Sequence, residues 1–113
     1  MSVKEKFDGD VAILGVSGNL MGGPETTAVH DKVREIVGKG NKKLVIDLAK
    51  VKWINSSGLG VLMGSMTTMK NNEGEMKLAN VSDRIQSLFM ITKLITIFET
   101  YDSTDKAVGS FMK

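Results

Sequence analysis

The stretch Leu44–Leu62, L-V-I-D-L-A-K-V-K-W-I-N-S-S-G-L-G-V-L, constrains the fold more than any other part of this chain. Leu44 to Leu48 are apolar except for Asp47 and show no alternation, the pattern of a strand buried on both faces. Within a few residues the period becomes helical, predicting a helix from about Ser57 to Asn71. Asn55, Ser56, Ser57 and Gly58 lie at its first turn. At 100° per residue Leu59, Leu62, Met63, Met66 and Met69 fall in one stripe, the expected core face. Gly60, Gly64, Thr67 and Thr68 take much of the other side. Each interior glycine costs about 0.8–1 kcal/mol of helix propensity against alanine, so both need a reason. Close packing against a neighbouring loop and a smooth landing surface for a partner serve equally well.

The rest of the chain supplies neighbours for that strand. Residues 11–16, V-A-I-L-G-V, are a second continuously apolar run, and residues 3–7 add an edge strand antiparallel to it. The glycine-bracketed loop Ser17–Gly23 leads to Pro24 and Glu25, a favourable first helical turn. Val29, Val33, Ile36 and Val37 then define a helix face, and Gly38 and Gly40 close the helix. The lone His30 falls off that stripe beside Thr26 and Arg34, both expected to face solvent, and reads as a surface residue. After a turn at Asn72, Glu73 and Gly74, E-M-K-L-A (75–79) alternates as a third parallel strand near a sheet margin would. Ser82 caps a short helix with Ile85, Leu88 and Phe89 inward. Ile95–Tyr101 reads as a last strand, and Ser103 starts a final helix burying Ala107, Val108 and Phe111. Strands alternating with helices predict an α/β fold: one domain, residues 1–113, with a mainly parallel sheet of four to five strands and about four helices.

Composition removes several classes of function. The chain has 113 residues, with 15 basic against 13 acidic side chains, and no basic stripe with interleaved aromatics, so neither nucleic acid nor a membrane is an expected partner. Without cysteine there is no thiol nucleophile, disulfide or zinc finger, and one histidine builds no multi-histidine metal site. The N-terminus mixes acids and lysines and is followed by too few apolar residues for a signal-peptide core or membrane span, which points to a cytoplasmic protein. N-S-S-G-L-G lacks the glycine of a nucleophile elbow, and only His30 could act as its base. No P-loop or dinucleotide fingerprint is present. Asp47 and Glu75 stand singly in strands, where a hydrogen bond or ion pair explains them. No catalytic residue, metal or cofactor is expected. By local physics Asn55, Ser56 and Ser57 are all good N-cap residues, and a cap is the commonest use of serine at a helix start.

The same stretch resembles the signature of the STAS domain, in particular the stand-alone anti-sigma factor antagonists, in which an apolar strand leads to Asp-Ser-Ser-Gly-Leu-Gly. V-S-G-N-L is similar to that family's strand-end glycine loop, G-E-M-K-L-A-N-V-S-D-R-I-Q-S-L-F-M-I-T-K-L to its third strand and following helix, and I-F-E-T-Y-D-S-T-D-K-A-V to its ending, so the likeness spans roughly residues 9 to 112. It implies a regulator of bacterial transcription by partner switching. Ser56 would be phosphorylated by a serine kinase that is itself the anti-sigma factor; the unmodified protein binds that kinase and frees its sigma factor, and a serine phosphatase would be a further partner. The expected partner surface comprises Ser17, Gly18, Asn19 and Met21 of the loop, Asn55, Ser56, Ser57 and Gly58 of the turn, and Gly60 and Gly64 on the helix. Gly64→Leu is then expected to abolish capture and spare the fold. The family usually has Asp before the serine pair and acids in the loop, where this chain has Asn55, Asn19 and Met21; slow phosphorylation, accelerated by Asn55→Asp, is the expected consequence. The alternative is a non-phosphorylated STAS module serving as a structural subunit of a signalling or lipid-transport complex.

Overall fold

The computed structural model describes residues 2–112, with the side chains of Ser2, Glu25 and Ile95 outside the description; Met1 and Lys113, the ends of the expected domain, also lie outside it. Five strands form one sheet in the order β1-β2-β3-β4-β5: Ser2–Asp8, Val11–Ser17, Lys43–Lys50, Glu75–Ala79 and Thr100–Tyr101. β1 pairs antiparallel with β2 and every other pairing is parallel, as expected for segments 11–16, 44–48 and 75–79. The turn Gly9–Asp10 between β1 and β2 is tight enough for the antiparallel edge, whereas each parallel pair needs a helical crossover. These are α1 (Gly23–Gly38), α2 (Ser56–Asn71) and α3 (Asp83–Ile91), followed after β5 by α4 (Thr104–Ser110).

The main core lies between α1, α2 and α3 and one face of the sheet, built on Leu14, Leu44, Ile46, Leu48, Leu62, Met69, Leu78 and Phe89. Burying each such side chain stabilises by roughly 1.5–3 kcal/mol. On the opposite face a smaller cluster, Val11, Ile13, Val45 and Ala79, is covered by Ala107 and Val108 of α4. Residues with alternating side chains thus feed two cores, which is why both central strands lack polar alternation.

Several expectations need correction. The last strand is only Thr100–Tyr101, because Leu94–Thr96 forms a single 3-10 turn and Leu94 and Phe98 close the end of the core instead. Phe98 lies 5.3 Å from Phe89 between ring centroids. Gly38 belongs to the last turn of α1, and the left-handed residue beyond it is Gly40, φ 88°. Met63 is 41 % exposed: the buried arc of α2 turns the other way, through Gly58 and Ser65, leaving Met63 roughly 100° from its centre. Lys77 is buried, so the polar residue of E-M-K-L-A marks no sheet margin. Its ammonium donates to Ser110 Oγ at 2.7 Å, sits 3.3 Å from Glu99 and lies 4.3 Å from the Phe111 ring centroid, pinning α4 to the sheet.

Candidate functional site

The site lies where the carboxyl ends of β2 and β3 meet the start of α2. The loop after β2 is stitched to the connection after β3 by backbone: Gly18 N donates to Lys50 O, Leu20 N to Trp53 O and Asn55 N to Leu20 O, the last two at 3.1 Å. Leu20 and Ile54 form an isolated parallel bridge and are both buried. Asn55 completes the junction. Its Oδ1 accepts from Gly58 N at 3.0 Å, making it the cap of α2, and its Nδ2 donates to Met21 O at 2.7 Å. A carboxylate at this position could cap the helix but would set an acceptor against the Met21 carbonyl, so the amide in place of the usual acid has a structural reason. The Asn55→Asp substitution therefore loosens the loop as well as adding charge.

This capping decides the state of the serines. Ser56 and Ser57 are the first two helical residues, both exposed, and among the described residues neither hydroxyl makes a hydrogen bond. Gly58 N and Leu59 N are taken by the Asn55 side chain and carbonyl, which leaves the N–H groups of Ser56 and Ser57 pointing outward at the positive end of the helix. Of the three candidate caps, the structure selects Asn55 and leaves neither serine in that role.

The structure brings Ser17, Gly18, Asn19, Met21, Asn55, Ser56 and Ser57 to one end of the sheet but separates the three glycines. Gly58 is buried, and a Cβ there would overlap the Leu20 carbonyl, so its role is to let the loop lie on the helix rather than to touch a partner. Gly64 is covered by α1: a Cβ would stand 3.0 Å from His30 Cε1, and His30 Nε2 lies 2.9 Å from Thr68 Oγ1. Gly64→Leu must therefore disturb helix packing, against the earlier expectation. Gly60 has nothing within 4 Å of a built Cβ and remains on the open face. His30 is correspondingly half-buried between α1 and α2. Burial lowers its pKa from the usual value, Arg34 lowers it further and Asp31 opposes. Thr26, expected in solvent, is buried and binds Gly22 in both directions, accepting from its N–H at 2.8 Å and donating to its carbonyl at 3.0 Å. It fixes the loop against Ser57, whose Cβ would be 3.4 Å from a Cβ on Gly22.

Apolar side chains flank the serines. Met21 is 46 % and Trp53 43 % exposed, and the Arg84 guanidinium of α3 lies 5.0 Å from the Trp53 ring centroid. Sequence reasoning passed over Trp53, although a lone tryptophan three residues before the serine motif was the available signal. Asp47 is explained as expected, accepting from Ala49 N and Asn80 Nδ2, both at 3.0 Å. Among the described residues no three acids, cysteines or histidines gather as metal ligands.

Comparison with known proteins agrees with this arrangement. The chain is 30% identical over 82 residues to the anti-sigma-B factor antagonist of Staphylococcus aureus (strain NCTC 8325 / PS 47), covering 73% of each protein. It superposes on a Thermotoga maritima crystal structure described as an anti-sigma factor antagonist with a TM-score of 0.89 at 23% identity, over 98% of this chain and 95% of that one. The Bacillus cell fate determinant SpoIIAA in its phosphorylated form gives a TM-score of 0.74 at 15% identity over 97% of this chain and 99% of that one. With the family model for the STAS domain matching residues 3–107 and a five-stranded mixed sheet carrying the serine motif at the start of α2, this chain belongs to the STAS domain family.

Proposed function

We propose that this chain is an anti-sigma factor antagonist: unmodified, it binds a serine kinase that is itself an anti-sigma factor and so frees a sigma factor, and phosphorylation of Ser56 switches it off. The observation that carries the reading is the division of labour at the start of α2, where Asn55 holds the cap and leaves the Ser56 hydroxyl exposed. The names of the relatives support the partner class. The role is binding rather than catalysis, and it places the protein in the cytoplasm. Met21 and Trp53 beside the serine supply apolar contact, and Gly60 leaves room for close approach.

A phosphoserine adds about −1.5 to −2 charges, which the outward N–H groups and the helix dipole accept without unfolding the domain. The effect falls on the partner. Against a carboxylate about 4 Å away, one unit of charge at an effective dielectric near 20 repels by about 4 kcal/mol, whereas 1.4 kcal/mol is already tenfold in affinity. One acidic contact therefore suffices to release a micromolar complex. The test is titration of purified variants into each anti-sigma factor kinase encoded in the genome that carries this chain. Ser56→Asp should retain native circular dichroism and bind at least tenfold more weakly, Ser56→Ala should bind constitutively, and Ser57→Ala should still be switched by ATP. Equal binding of Ser56→Asp and parent would end the phospho-switch reading.

A further inference from the structure

The two faces of the sheet are covered unequally. Three helices close one, whereas on the other only the seven residues of α4 lie over β3, β4 and β5. Beyond α4, across β1, β2 and β3, that face carries a half-open groove of about 360 Å³. Its floor is Gly15 and Ala49 with the buried Ile13 at its edge, and its rim carries Lys4, Lys6 and Lys50. Register explains the arrangement. Lys4 stands opposite Gly15 and Lys6 opposite Ile13 in the antiparallel pair, so each lysine rises beside a floor residue on the same face. Gly15 keeps the floor low: a Cβ there would find only the Lys4 carbonyl oxygen, 3.9 Å away.

The groove keeps a net positive charge. Two carboxylates adjoin it: Glu5 is paired with Lys32 at 3.3 Å and Lys39 at 3.8 Å, while Asp47, held by Ala49 N and Asn80 Nδ2, offsets only part of the charge of the three lysines. None of the three rim lysines forms an ion pair among the described residues. We propose that this groove is a binding site for a small free anionic amphiphile, its carboxylate or phosphate held by Lys4, Lys6 and Lys50 and its apolar body lying on Gly15 and Ala49. The volume lies in the ordinary range for small-molecule sites, roughly 300–1,000 Å³, and equals about a dozen water volumes at roughly 30 Å³ each. An inorganic anion would leave the apolar floor unused, and a flat bilayer cannot enter a concave groove between strands. The groove does not include Ser56, although Ser17 of the loop beside the serine motif also lines it.

Sodium decanoate, below its micelle concentration, is the probe, followed by amide chemical shifts of the full chain. Binding with a dissociation constant of about 1 mM or tighter is expected, with shifts centred on Lys4, Lys6, Gly15 and Lys50. Gly15→Val should remove it, because the added methyls fill the floor at a site whose φ is ordinary and where a β-branched residue suits the strand. The double substitution Lys4→Gln, Lys6→Gln should weaken it at least fivefold, and decanol should bind at least fivefold more weakly than decanoate. Shifts scattered over the molecule, equal binding by Gly15→Val with native amide dispersion, or equal binding of decyltrimethylammonium would each overturn the proposal. So would association with phosphatidylglycerol vesicles in the absence of any response to decanoate.

Discussion

Ser56 and Ser82 stand at the starts of α2 and α3, and the two helices use them in opposite ways. Ser82 is the cap itself: its hydroxyl accepts from Ile85 N at 3.3 Å. Ser56 sits one residue inside its helix, because Asn55 has taken the cap and ties the Met21 carbonyl with its other end. The same side chain is structural at one helix start and available for chemistry at the other. What differs is whether a neighbour relieves it of the backbone, and that neighbour works only because the loop after β2 lies within its reach.

The comparison is tested most severely at Gly58. Gly58→Ala drives a methyl into the Leu20 carbonyl and should cost about 3 kcal/mol, read as a fall in the urea midpoint with an unchanged slope. A near-neutral result would mean that the loop does not rest on α2. Asn55→Ala comes next. It loses a cap worth about 1 kcal/mol and a second hydrogen bond of similar value, about 2 kcal/mol together, and should speed amide exchange in residues 18–22.

A smaller effect separates the two serines directly. Ser82→Ala should destabilise by about 1 kcal/mol, whereas Ser56→Ala should stay within about 0.5 kcal/mol of the parent. Equal losses would return Ser56 to a capping role. The smallest effect is a pH slope at the packing of α1 on α2. The folded-state pKa of His30 is lowered below its unfolded value by burial first and Arg34 second, so the unfolded chain takes up the proton first. That contribution to stability is present above the unfolded value near 6.5 and is lost as pH falls from there through the lowered folded value. His30→Gln should flatten this part of the stability profile; an unchanged slope would show that another group titrates there.

The elements legible in the chain were those with a strong local period. The apolar runs of β2 and β3, the helical stripe of α1 and the caps Ser82 and Ser103 follow from side-chain spacing and hydrogen-bonding capacity, which need no knowledge of the neighbour. Ile95–Tyr101 misled because β-branched and aromatic residues are suited equally to a strand and to the closing of a core, and the place occupied by Leu94 and Phe98 under the sheet decided between them. Lys77 misled for a related reason, since a lysine in a short strand signals solvent unless a helix brings Ser110 and Phe111 to meet it.

The serine motif shows the same boundary within six residues. Sequence determined that an apolar strand turns into a helix at N-S-S-G and that several residues there could cap it, because those are properties of one segment. Which residue caps, and which hydroxyl is left over, was decided by a loop more than thirty residues earlier, through the Met21 carbonyl. The glycines divide likewise. Gly58, Gly60 and Gly64 are alike in sequence, yet one lies under a carbonyl, one under an imidazole and one in the open, because a missing side chain acquires its meaning only from what packs into the space.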